Sequence, residues 1–290
     1  MKKSRKLATL GICSILILGL AACQQQHATS EGTNQRQTSS SKVPWKASYT
    51  NLNNQVSTED VKSLLSANLD PNSVNAFFNL VNDYNTIVGS TGLSGDFTSF
   101  THTEYDVEKI SHLWNQKKGD FVGTNCRINS YCLLKNSVTI PKLEKNDQLL
   151  FLDNDAIDKG KVFDSQDKEE FDILFSRVPT EATTDVKVHA EKMEKFFSQF
   201  QFNDKARMLS VVLHDNLDGE YLFVGHVGVL VPADDGFLFV EKLTFEEPYQ
   251  AIKFASKEDC YKYLGTKYED YTGDGLAKPF IMDNDKWVNL

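Results

Sequence analysis

MLSVVLH (208–214), YLFVGHVGVLV (221–231) and GFLFVEKLTF (236–245) stand almost end to end in the second half of the chain. β-branched and aromatic residues crowd each run, and turn residues separate them, so they predict an antiparallel meander. YQAIKF (249–254) supplies a further strand, and a helix is expected from about Ser256 to Tyr268. Toward the N-terminus the period changes. Ser57-x-x-Asp60 has the form of a capping box before VKSLLSANL, and Asp70-Pro71 opens the periodic SVNAFFNLVNDYNTIV, which stops at Gly89. Asp106 to about Gln116 places Val107, Ile110, Leu113 and Trp114 on one helical face, CRINSYCLL begins another helix near Asn125, and Asp185 to Phe200 predicts one more. Helices first and a meander afterwards give an α+β fold, with a helical N-terminal half packed on an antiparallel sheet.

The first 42 residues read differently. Lys2, Lys3, Arg5 and Lys6 precede an apolar run, Leu7 to Leu20, shorter than the roughly 20 residues of a spanning helix, as in a secretory signal. The run ends Leu20-Ala21-Ala22-Cys23, which resembles the bacterial lipobox. That resemblance implies cleavage of 1–22 and a lipid on Cys23, so that the protein is extracytoplasmic and touches the membrane only through its N-terminal lipid. Residues 24–42, QQQHATSEGTNQRQTSSSK, hold no apolar side chain larger than Ala and read, with Cys23, as a flexible tether. Residues 43–290 are then a single domain. The 290-residue chain carries a formal charge of −9, and without the four signal cations the remainder is near about −13. Such a surface repels phosphate backbones, which excludes nucleic acid as a partner.

Cys126, Cys132 and Cys260 remain after the anchor and the signal are set aside. An odd number cannot all pair within the chain. Cys126 follows Gly123-Thr124-Asn125, a turn with a capping residue, and falls in the first turn of its helix, where free N–H groups and the dipole favour a thiolate. Cys132 lies nearly opposite on that helix. His226 stands in the strand GHVGVLV, with Gly225 and Gly228 leaving room beside the imidazole. If Pro232 to Asp235 form a four-residue loop, Val231 faces Gly236 and His226 faces Glu241, whose carboxylate can then orient the ring. A loop one residue longer puts Lys242 there instead, and Asp215, after His214, is the alternative orienting acid.

A cysteine at a helix N-terminus, followed at distance by GHVGVLV and a hairpin partner with a polar residue, resembles the papain-like NlpC-type cysteine peptidases and amidases. The resemblance covers mainly 123–134 and 221–242. It implies Cys126 as nucleophile, His226 as general base and then acid, Glu241 as its orienting group, and an oxyanion site at the backbone N–H of Cys126 with Asn125 or Thr124 beside it. The Asn125-Cys126-Arg127 triplet departs from the Asp-Cys-Ser found more often. Over its whole length the chain also looks like an uncharacterised family of streptococcal surface lipoproteins, which implies anchorage on a Gram-positive membrane. Together these lead to the expectation of a cysteine hydrolase acting on amide bonds of cell-wall peptides, the alternative being a binding lipoprotein on the same scaffold.

No metal and no cofactor is expected. Asp153-Asn154-Asp155 lacks the later ligands and the glycine of a calcium loop and reads as a solvated turn, and no histidine pair has zinc-ligand spacing.

Overall fold

The computed structural model describes residues 46–101 and 103–290. The signal segment 1–22, Cys23 and the tether therefore lie outside the described residues. A short strand, β1 (Ala47–Thr50), leads into α1 (Gln55–Asn68). This helix starts before the expected capping box, because Asn54 is its N-cap and accepts from the Ser57 N–H. α2 (Pro71–Val88) begins as Asp70-Pro71 predicts, with Asp70 accepting from the N–H groups of Asn72 and Ser73, and ends at Gly89. β2 (Thr98–Ser99), α3 (Val107–Lys118, capped by Asp106) and α4 (Cys126–Leu134, capped by Asn125) follow.

The middle of the chain holds more helix than expected. β3 (Val138–Thr139), α5 (Phe151–Gly160), α6 (Ser165–Leu174), β4 (Val178–Pro179), α7 (Val186–Phe197) and β5 (Gln201–Phe202) succeed one another. Asp153-Asn154-Asp155 is not a solvated turn. It lies in α5, and Asp153 is buried there. Then come the strands that decide the fold: β6 (Arg207–Asp215), β7 (Tyr221–Ala233), β8 (Gly236–Lys242) and β9 (Tyr249–Phe254). α8 (Lys257–Lys267), capped by Ser256, β10 (Phe280–Asp283) and β11 (Lys286–Val288) complete the fold.

The main sheet runs β11-β10-β6-β7-β8-β9-β1-β2, every neighbour antiparallel, and β4 adds to β7. The fold is thus α+β with an antiparallel sheet. Both faces are covered. Val227, Val229, Val231, Leu238 and Val240 bury into a cluster with Leu65, Phe77, Val81, Ile128 and Leu133 of α1, α2 and α4. Leu209, Val211, Leu213, Leu230 and Phe239 bury on the other side with Cys260, Tyr263 and Leu264 of α8. Double coverage is why GHVGVLV reads as a nearly continuous apolar run instead of an alternating one. No described helix is long and apolar enough to cross a membrane.

Two details of the hairpin differ from the sequence reading. Pro232 and Ala233 stay in β7, the turn is Asp234-Asp235 alone, and Val231 pairs with Leu238 instead of Gly236. Continued along the strands, that register sets Glu241 level with Gly228, a diagonal neighbour of His226 on the same face. The glycines also serve other side chains than the imidazole. Gly225 is the extra residue of a bulge, since Val211 pairs with His226 and Val212 with Val224. A Cβ on Gly225 would collide with Leu213, and one on Gly228 with Phe239 and, at 2.8 Å, with the Val240 carbonyl.

Candidate functional site

Asn125 places Cys126. Its side-chain oxygen accepts from the Ile128 N–H at 3.1 Å, closing the start of α4, so Cys126 is the first helical residue and its own N–H has no partner within the helix. The turn beneath is tied down as well. Asn129 Nδ2 donates to Thr124 Oγ1 at 2.9 Å and to the Asn125 carbonyl at 2.8 Å, while Tyr249 on β9 donates to Asn129 Oδ1 at 3.0 Å. Ser130 Oγ donates to the Val227 carbonyl at 3.2 Å, fastening α4 to the strand that carries His226.

His226 lies where β7 and β8 part: the last pair between them is Val229–Val240, although β7 begins at Tyr221 and β8 runs on to Lys242. His226 Nε2 donates to Glu241 Oε2 at 2.5 Å, and Tyr268, just after α8, stacks on the ring at a centroid distance of 5.2 Å. The remaining ring nitrogen, Nδ1, is not engaged by Glu241, and Cys126 lies close enough for thiol and imidazole to act on each other's protonation. Glu241 reaches His226 diagonally, a span of about 7–8 Å between backbones that a glutamate side chain can bridge. Its other oxygen accepts from Tyr263 Oη, and Lys267 Nζ stands 3.3 Å from both carboxylate oxygens and 2.9 Å from Tyr263 Oη. All three central groups are buried: Cys126 is 5%, His226 1% and Glu241 1% exposed.

Charge explains what burial alone cannot. Burial is the largest influence on the Cys126 thiol and pushes its pKa up, but His226 and the charge of Arg127 outweigh it and leave the pKa below its ordinary value. For His226, burial pushes down most strongly, yet Cys126 and then Glu241 raise the net value. Burial would also raise Glu241, but Lys267, His226 and Tyr263 bring it down to about 2. The arrangement favours a thiolate, an imidazolium and a carboxylate in a row.

The other candidates fall as follows. The side chains of Asn125 and Thr124 are spent on the helix start, so of the expected oxyanion donors the backbone N–H of Cys126 is the one left unengaged within α4. Asp215 is not an orienting acid. It pairs across the ladder with Tyr221, at the far end of β7 from Glu241, and accepts from the Leu217 N–H, while Glu241 occupies Nε2. Cys132 and Cys260 are free and buried; burial raises Cys132 to about 12 and Cys260 well above its usual range. Among the described residues no group of three or more His, Cys, Asp or Glu side chains could hold a metal ion.

The sequence reading missed the supporting residues. Asp153 holds both chain neighbours of Cys126: it accepts from Asn125 Nδ2 at 2.7 Å, from Arg127 Nε at 2.9 Å and from Arg127 Nη2 at 2.7 Å. Lys242, also buried, donates to the carbonyls of Thr244, Phe245 and Glu247, and its ammonium sits 4.3 Å from the Tyr84 ring centroid. Burial pushes its pKa down to about 7. The visible signal for Asp153 was its place three and four residues before the apolar pair Ala156-Ile157, one helical turn away on the same face.

No curated protein and no solved structure matches the chain. A family described as "Domain of unknown function (DUF4300)" matches residues 48–288, from β1 through β11 and including Cys126, His226 and Glu241, and the chain therefore belongs to the DUF4300 family.

Proposed function

We propose that this protein is a surface-anchored lipoprotein with cysteine-dependent peptidase or amidase activity toward cell-envelope peptides, built on a papain-like arrangement. The observation that carries the reading is the burial together of Cys126, at a helix N-terminus, with His226, whose Nε2 is held by Glu241. In this reading the Cys126 thiolate adds to the amide carbonyl, and the tetrahedral oxyanion is stabilised by the N–H of Cys126 and the positive end of α4. His226 protonates the departing amine as the C–N bond breaks, leaving a thioester. Water, deprotonated by His226, then attacks the thioester, and the thiolate is regenerated with release of a carboxylic acid. Glu241 holds the imidazole and offsets its charge. Neither a metal nor a cofactor takes part in these steps.

A second reading, a binding lipoprotein on the same scaffold, is favoured by one fact: the Cys126 and His226 side chains are almost wholly covered. Purified wild-type protein incubated with muropeptides and a broad peptide and acyl-amide panel separates the two. New amine is expected from the wild type, none from Cys126→Ala, and about 10²-fold less from Glu241→Gln. No amine from a wild type whose Cys126 is reduced would leave the binding reading standing. Anchorage is tested separately, because Cys23→Ser should release the protein into the medium.

A further inference from the structure

The side chain that follows the cysteine is the least expected feature of the site. Arg127 turns back from α4 to a bidentate pair with Asp153 and donates through Nη1 to the Val224 carbonyl at 3.0 Å, two residues before His226. It thereby links α4, α5 and the histidine strand. A guanidinium has five N–H donors. Three are engaged, and the remaining two, one on Nη1 and one on Nη2, meet no acceptor among the described residues. The Arg127 side chain keeps 15% of its surface exposed, whereas Asp153 keeps none. Of the pair, Arg127 is therefore the member that reaches the surface, and its partner is hidden.

The thiol lies within reach of two cations. The chain has 40 acidic against 31 basic side chains, yet the groups whose charge reaches Cys126 are His226 and Arg127, with Asp153 the weaker opposing one, and Cys126 in turn acts on Lys242. A guanidinium beside the reacting thiol attracts anions and repels cationic peptides. A planar guanidinium edge with two free donors fits a carboxylate.

We propose that Arg127 forms an anion subsite beside Cys126, so that the molecule taken there carries a carboxylate next to the carbonyl that is attacked. This rests on the cysteine-hydrolase reading. Arg127 is a specificity residue in it, and Asp153 a positioning residue that sets the guanidinium edge.

Two alkylating agents of nearly equal size test this without knowledge of the substrate. Iodoacetamide is neutral and reports the thiolate; iodoacetate adds a carboxylate. In the full-length protein, Cys126 should react with iodoacetate about tenfold faster, relative to iodoacetamide, than free cysteine does, and the rate should saturate with iodoacetate concentration. Acetate should protect Cys126 and acetamide should not. Arg127→Gln should return the ratio to that of free cysteine, and Arg127→Lys, keeping the charge without the fork, should retain part of the preference. Rapid iodoacetamide labelling of wild type with no iodoacetate preference overturns the subsite and leaves the Cys126–His226 pairing intact. Slow labelling by both reagents overturns the pairing and the subsite together. The wild-type ratio decides the matter even if the arginine variants fail to fold.

Discussion

Cys126, Cys132 and Cys260 share nearly complete burial, which by itself keeps a thiol protonated. Only Cys126 has an imidazole and a helix N-terminus to reverse that tendency. Its alkylation by iodoacetamide should persist at pH values well under 8, while Cys132 and Cys260 remain unlabelled in the folded protein. His226→Ala should move the Cys126 profile upward by at least about one pH unit. Peptide mass spectrometry resolves the three cysteines, and equal rates at all of them would refute the pairing. Glu241 gives a prediction of opposite direction. Its pKa falls on folding from 4.5 to about 2, so the native state binds the proton less well than the unfolded chain does. The stability this contributes is present above about pH 4.5 and lost as the pH falls toward 2. Thermal unfolding followed between pH 6 and pH 2 should show a steeper loss for wild type than for Glu241→Gln. Lys267→Met should raise the pKa of Glu241, and with it the acid limb of any activity profile, because an ammonium 3.3 Å away is gone while the carboxylate stays buried.

Elements carry those residues into place, and the glycines of β7 show how tightly. Gly228→Ala must push Phe239 or the Val240 carbonyl aside, with an expected cost of about 1–3 kcal/mol by denaturant unfolding. Lys242→Met leaves three carbonyls of the segment after β8 without their donor, and about 3 kcal/mol should be lost. The strands, α2 and α4 were legible in the sequence because each has a strong local signature: β-branched runs, Asp-Pro, and Asn before an amphipathic stretch. β1, β10 and β11 were not. They are short and gain their pairing from partners far along the chain, which no local pattern encodes. α5 and α6 escaped for another reason: their few apolar residues, such as Ile157 and Phe171, carry little periodicity among many acids. The meeting of His226 with Glu241 was foreseen through a register that proved wrong, and it survives because a glutamate can reach its neighbour diagonally. Asp153 could not be recognised, since a buried carboxylate and a solvated one look alike until the residues it binds are brought to it.

At the scale of the whole molecule, the two ends of the described chain close the sheet. β1 lies against β9, with Ala47 opposite Phe254, and β10 and β11 extend the opposite side beyond β6. α1 and α2, though early in the sequence, bury their apolar faces against strands from its second half. A truncation ending at Asp204 therefore removes the surface on which those helices pack, and it should show no cooperative thermal transition, measured by near-ultraviolet circular dichroism. The same connectivity sets a schedule. The pairing of β1 waits on a partner some two hundred residues downstream, and loop closure over that distance must precede any reward from the contact. A chain that emerges N-terminus first, from whatever compartment it leaves, consequently stays open until its last strands are free, so that the native core, the row of three charged side chains included, is assembled late and nearly at once.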